Sequence, residues 1–253
     1  MRKFLLTRWA KAVVLVLGLG PALYLAWSAY RGELTANPVE FLQHQTGDWT
    51  LRFLIFTLCI TPFRKLLNLP ELIRFRRMLG LYAFFYVCLH FLTYLGPDQS
   101  FNLAGMWRDV AKRPYITVGF TAFVLLIPLA LTSTAASIRR LGGKRWQALH
   151  RAVYASAVLG VVHYYWLVKS DVRKPVFYGA IVGVLLAWRL VGLLAKRKAP
   201  AVGMAAHAEG LQSRVADSAG AEAGSPNSRP QKCGDGVRNS IPTRWPRSHS
   251  SPR

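Results

Sequence analysis

Acidic residues are scarce in this chain. Of its 253 residues only 11 are aspartate or glutamate, against 33 lysines and arginines, and no carboxylate falls inside any of its long apolar runs. Proton relays and cation pathways usually need carboxylates at membrane depth, so an ion-coupled transporter is disfavoured. Cysteine is sparser still. Cys59, Cys88 and Cys233 show no CxxC spacing, and the first two sit within apolar stretches. Neither a disulfide framework nor a zinc site is indicated. Cys59 and Cys88 are read instead as small core hydrophobes.

Apolar surface is abundant. The composition is 52% hydrophobic and 12% aromatic with a mean hydropathy of +0.22, too apolar for an ordinary soluble domain. A net charge of +22 would suit a nucleic-acid binder if the bases covered one wet face, but here they fall between apolar runs. Those runs lie near 10–30, 49–62, 78–95, 114–132, 149–168 and 175–195. Most approach the ~20 residues that cross a bilayer, and the second is short and needs its flanks to span. The first follows Arg2, Lys3 and Arg8 but is long and lacks an A-x-A cleavage signal, which favours an uncleaved anchor.

Charge in alternate connections predicts orientation, because lysine and arginine near helix ends favour the cytoplasm. One side receives eighteen bases, among them Arg74, Arg76, Arg77, Arg139, Lys144 and Arg151, with Glu71 as the sole acid. The other receives eight bases and six acids, including Glu40, Asp48, Asp98 and Asp109. Both termini are therefore expected in the cytoplasm. Trp9, Trp27, Tyr30, Trp49, Tyr94, Tyr115, Trp146 and Trp166 gather at the expected ends of spans, where amphipathic rings prefer the headgroup layer. Beyond Pro200 the chain turns to Ser, Pro, Gly, Ala and Arg, a composition that cannot bury enough apolar surface to fold. The expected fold is all-α: a polytopic six-helix transmembrane bundle over residues 1–198 and a disordered cytoplasmic tail over 199–253.

The polar chemistry inside the runs is histidine. His90 lies in the third run, and His150 and His163 lie in the fifth. An ionisable residue at membrane depth points to function by default. His90 stands six positions before Gly96 and His163 six before Lys169. At ~1.5 Å per residue both lie about 9 Å inside the outer end of parallel helices. Two imidazoles at one level can grip a haem iron from both faces. His150 lies 13 residues before His163, near the cytoplasmic face, at the level that Arg77 occupies on the third helix. Two readings of His150 stay open, a ligand of a second haem and a structural residue. Arg77 is either an ordinary cytoplasmic charge or the partner of a haem propionate or flavin phosphate. His44, His207 and His249 are expected to be solvated.

The stretches RRMLGLYAFFYVCLHFLTYLG (76–96), KRPYITVGF (112–120), LALTS (129–133) and LGGKRWQALHRAVYASAVLGVVHYYW (141–166) resemble a known family. They are similar to the haem-binding membrane subunit of the bacterial periplasmic protein-methionine-sulfoxide reductase system, within the ferric-reductase-like transmembrane superfamily. The resemblance covers about residues 1–198. It puts the family's histidines on His90, His150 and His163, and it implies one or two haems b and, as an open option, FMN. It further implies a bacterial inner-membrane subunit that takes electrons from the quinone pool or a cytoplasmic flavin reductase. Those electrons would pass to a periplasmic molybdopterin-containing catalytic subunit, in a heterodimer, that reduces methionine sulfoxide in oxidised proteins. The chain has no G-x-G-x-x-G after a strand, so a self-contained NADPH oxidase is not expected. Two alternatives are a stand-alone ferric or cupric reductase and a non-redox transporter or assembly protein.

Overall fold

The computed structural model describes residues 8–168 and 171–195, so the expected tail lies outside the described residues. Within them the structure is helical. In chain order the helices are α1 (Arg8–Tyr30), α2 (Pro38–Leu66), α3 (Ile73–Thr93), α4 (Leu103–Lys112), α5 (Pro114–Leu131), α6 (Ala135–Leu141), α7 (Gly143–His150) and α8 (Ala152–Leu167). A further helix, α9, covers Arg173–Ala195.

Four helical segments are long and apolar enough to cross a membrane: Trp9–Tyr30, Pro70–Asp98, Pro114–Leu131 and Arg173–Ala195. They carry the first, third, fourth and sixth expected runs. The second run lies inside α2, which is 29 residues long but includes Glu40, Asp48, Arg52, Arg64 and Lys65. The fifth run is not one helix. The Arg151 N–H closes a tight bond to the Ala148 carbonyl at 3.2 Å, and Tyr154 N–H does the same to Arg151 at 3.0 Å. These i→i−3 bonds replace the α-helical i→i−4 pattern and divide the run into α7 and the 16-residue α8. His150 and His163 therefore stand on consecutive helical segments joined at Arg151, whose backbone stays in the right-handed helical region.

The helices pack most extensively as two pairs, α2 with α3 and α5 with α8. In the first pair α2 is buried on more than one face: Thr46, Thr50, Phe53 and Thr57 recur at helical spacing, and Asp48, Leu51 and Ile55 are buried as well. Phe53 stacks on Tyr82 and Tyr86 of α3, with ring centroids 5.2 Å apart in both cases. In the second pair the Ser156 hydroxyl, fully buried, donates to the Ala122 carbonyl at 2.9 Å.

α1 leans on α3 through two tyrosines. The Tyr82 hydroxyl donates to the Leu15 carbonyl at 2.7 Å. The Tyr86 hydroxyl donates to the Gly18 carbonyl at 2.8 Å and accepts from Ala22 N–H at 3.0 Å. Gly18 and Ala22 are the pair an unbroken helix joins i→i−4, so the hydroxyl sits in the backbone ladder beside Pro21, where the helix is weakened. α1 and α9 leave large apolar side chains outward, Val16, Leu17, Tyr24 and Trp27 on one and Phe177, Val184 and Trp188 on the other. A contiguous apolar exterior of this kind suits lipid.

Candidate functional site

The two helix pairs enclose a cavity of about 320 Å³ whose wall includes His90 of α3 and His163 of α8. Each imidazole is held in the same way. His90 Nδ1 lies 3.0 Å from the Gln43 carbonyl of α2, and His163 Nδ1 lies 2.7 Å from the Tyr115 carbonyl of α5. A carbonyl can only accept, so Nδ1 carries the proton in both rings and Nε2 keeps the lone pair that binds metals. One helical turn beyond each carbonyl stands a glycine, Gly47 after Gln43 and Gly119 after Tyr115. A Cβ at 47 would come within 3.3 Å of His90 Nδ1, and one at 119 within 2.6 Å of His163 Nδ1. The His163 ring thus occupies space that only glycine leaves open, and the His90 ring is packed tightly against Gly47.

The two ring centroids lie 6.2 Å apart with their planes at 77° to one another. An imidazole nitrogen sits ~2 Å from a first-row metal, which places the centroids of two axial imidazoles roughly 6 Å apart. Among the described residues no group of three or more His, Cys, Asp and Glu could hold a metal ion. Two histidines alone cannot complete a site for a bare ion, which takes about four protein ligands. They do suffice for a macrocycle-bound iron that leaves only its axial positions to the protein. The residues present therefore fit a haem.

The same wall carries a carboxylate that sequence reasoning counted only as an outer-side acid. Asp48 is 7% exposed, lies 3.7 Å from Arg52 across an ion pair and is hydrogen-bonded by Tyr164, the neighbour of His163. Arg52 in turn donates to the Tyr178 hydroxyl at 3.0 Å, which ties α9 to α2. The usable signal was position: Asp48 follows Gly47 on a helix that runs on without interruption to Leu66.

His150 and Arg77 line a different cavity, of about 450 Å³, with Arg76, Arg151, Trp146 and Tyr154. His150 stacks on Trp146 with centroids 3.9 Å apart, and its Nδ1 lies 3.1 Å from the Trp146 carbonyl. Its Nε2 is buried and makes no well-formed hydrogen bond, although the Leu129 carbonyl, besides that of Trp146, lies close enough to act on the ring. Leu54 and Leu126 line both cavities and form the apolar partition between them. Arg77 is exposed, whereas Arg76, which sequence reasoning did not single out, is half-buried. His44 is exposed beside Glu40 at 3.8 Å, and His207 and His249 lie outside the described residues.

Comparison with known proteins identifies the family. The family described as the ferric reductase like transmembrane component matches residues 46–161, a span that contains His90 and His150 and stops just short of His163. The protein-methionine-sulfoxide reductase heme-binding subunit MsrQ of Azospira oryzae is 56% identical over 182 residues, 72% of this chain and 78% of the relative. Its counterpart in Herminiimonas arsenicoxydans is 53% identical over 189 residues, 74% and 87% of the two chains. That of Rhodospirillum rubrum is 49% identical over 191 residues, 76% and 92%. No solved structure matches the chain. With about half of the aligned residues identical across roughly three quarters of this chain and most of the length of these relatives, the chain belongs to the family of protein-methionine-sulfoxide reductase heme-binding subunits.

Proposed function

We propose that the chain is the electron-carrying membrane subunit of a protein-methionine-sulfoxide reductase, with haem b held between His90 and His163. The observation that carries this reading is the approach of two Nδ1-protonated imidazoles, with centroids 6.2 Å apart, in a glycine-lined cavity. Haem b supplies one-electron chemistry at this place when bound. The chain's own contribution is orientation. The Gln43 and Tyr115 carbonyls fix each tautomer and aim Nε2 inward, an outer-shell role that also raises ligand basicity.

The lower cavity serves the donor side. His150 Nε2 and the guanidinium groups of Arg76 and Arg77 offer a lone pair and positive charge to a second haem or to FMN. Electrons arrive there from the quinone pool or a cytoplasmic flavin reductase. They leave from the upper cavity to a periplasmic molybdopterin-containing partner that repairs oxidised methionine. This direction requires six spans in the bacterial inner membrane, α2 and α7–α8 included, with both termini in the cytoplasm. It is supported by the gathering of eighteen bases on the side of Arg77 and Lys144.

A reduced-minus-oxidised absorption spectrum of the purified full-length protein tests the proposal. A low-spin b-type signal is expected, lost in His90→Ala and in His163→Ala while membrane insertion persists. A protein without haem, or both variants with the normal spectrum, would overturn it. The ferric-reductase-like match also admits a stand-alone metal reductase. In that case a soluble ferric chelate would reoxidise the reduced protein as fast as the molybdopterin partner does.

A further inference from the structure

At the end of the upper cavity marked by exposed Glu40, His44, Asp98 and Arg113, two hydrogen-bond donors are incompletely used. Gln43 Nε2 is buried with no partner of any kind. Arg113 is the only lysine or arginine among the described residues that line this cavity. Its guanidinium reaches Asp109 at 3.4 Å through Nε and the Tyr115 hydroxyl at 3.4 Å through Nη1. A guanidinium has five N–H groups, so donors remain.

These two residues hold corresponding places. Gln43 supplies the carbonyl that orients His90, and Arg113 bonds the side chain of Tyr115, whose carbonyl orients His163. Each therefore stands beside the outer edge of one imidazole mount. The nearby carboxylates are already engaged. Glu40 accepts from Asn37 Nδ2 at 2.9 Å and pairs with His44, and Asp109 accepts from Tyr94 and Gln99 as well as facing Arg113. Asp98 is exposed to solvent. An anionic group with two carboxylate arms, entering beside the histidines, would meet one orphaned amide donor and one cation. We propose that Gln43 and Arg113 are positioning residues that hold the two propionate carboxylates of the haem, one on each side of the cavity mouth. The proposal rests on haem b between His90 and His163. It fixes the in-plane orientation of the macrocycle, with its carboxylate edge toward the end where α4 covers the bundle.

Haem release separates this role from a merely structural one. The full-length protein, loaded with haem b or with its dimethyl ester, is mixed with excess apomyoglobin and the transfer of haem is followed by absorption. With haem b, Gln43→Ala should release roughly tenfold faster, the effect of losing a charge-assisted hydrogen bond in a buried place. Arg113→Ala should release about threefold faster, because its partner site is solvent-screened. Arg113→Lys should recover much of that loss. With the dimethyl ester, whose arms carry no charge, Arg113→Ala should release at the rate of the unsubstituted protein. Haem b release at the unsubstituted rate in both alanine variants would overturn the proposal, and so would an Arg113→Ala effect of equal size on the ester. If the unsubstituted protein holds no haem at all, the reading beneath fails and not this assignment alone.

Discussion

The two cavities differ in how completely the protein has already satisfied its histidines. In the upper one His90 and His163 come as a pair, each with Nδ1 bonded to a carbonyl and each ring lodged against a glycine of the facing helix. In the lower one His150 stands without a second histidine, stacked on Trp146 and surrounded by arginines, with Nε2 making no well-formed hydrogen bond. Preorganised imidazoles bind a metal centre without rearrangement and exchange it slowly. A lone imidazole among cations suits an anionic partner that is held by charge and can leave. Under the proposed reading the difference suits a resident group in the upper site, and a second haem or FMN beside His150 in the lower.

The largest expected effect breaks the upper site outright. If His90 and His163 are the axial ligands, His90→Ala and His163→Ala should each abolish the upper haem's low-spin signal, while His44→Ala should leave it unchanged. The glycine substitutions grade the same site. Gly119→Ala would push a methyl to 2.6 Å from His163 Nδ1, closer than any tolerated contact, whereas Gly47→Ala meets His90 at 3.3 Å, which a small shift relieves. Haem content per protein should therefore drop severely in Gly119→Ala and modestly in Gly47→Ala. The reverse order would contradict the reading of both glycines as ring cradles.

A smaller effect is expected from the lower site. His150→Ala should leave the upper haem spectrum intact but slow its reduction by quinol or reduced flavin, with reduction by dithionite unaffected. Arg77→Ala should act in the same direction more weakly, since it removes an anchor and not a lone pair. Arg76, half-buried in the same wall, should matter at least as much as Arg77. Wild-type reduction rates in His150→Ala would reduce that histidine to a helix-end residue. The comparison also needs the two cavities on opposite sides of the bilayer. An impermeant thiol reagent should label a cysteine placed at 98 in intact cells and miss one placed at 144, on a background without native cysteines.

The pairing of His90 with His163 could be read from the chain because helix rise converts sequence offset into depth, and both lie six positions from an expected outer end. The apolar runs of α1, α3, α5 and α9 were equally plain, since length and composition decide them. What holds the rings was not. Gly47 and Gly119 differ from other glycines only by what approaches them, and an approach between helices leaves no mark along one. The division at Arg151 carries neither proline nor glycine, so the fifth run looked continuous and its split into α7 and α8 left no mark in the sequence. Asp48 was sorted by its charge to the outer side, although α2 carries it into the cavity wall.

The central claim is that one iron is held by the Nε2 atoms of His90 and His163. Pulsed electron paramagnetic resonance on the oxidised full-length protein, with 15N-labelled histidine, counts the imidazole nitrogens bound to that iron. Two coupled histidine nitrogens are expected on the upper haem, and the low-spin signal should be lost in His163→Ala. A single coupled histidine in the unsubstituted protein, or two that persist in His163→Ala, would contradict the assignment.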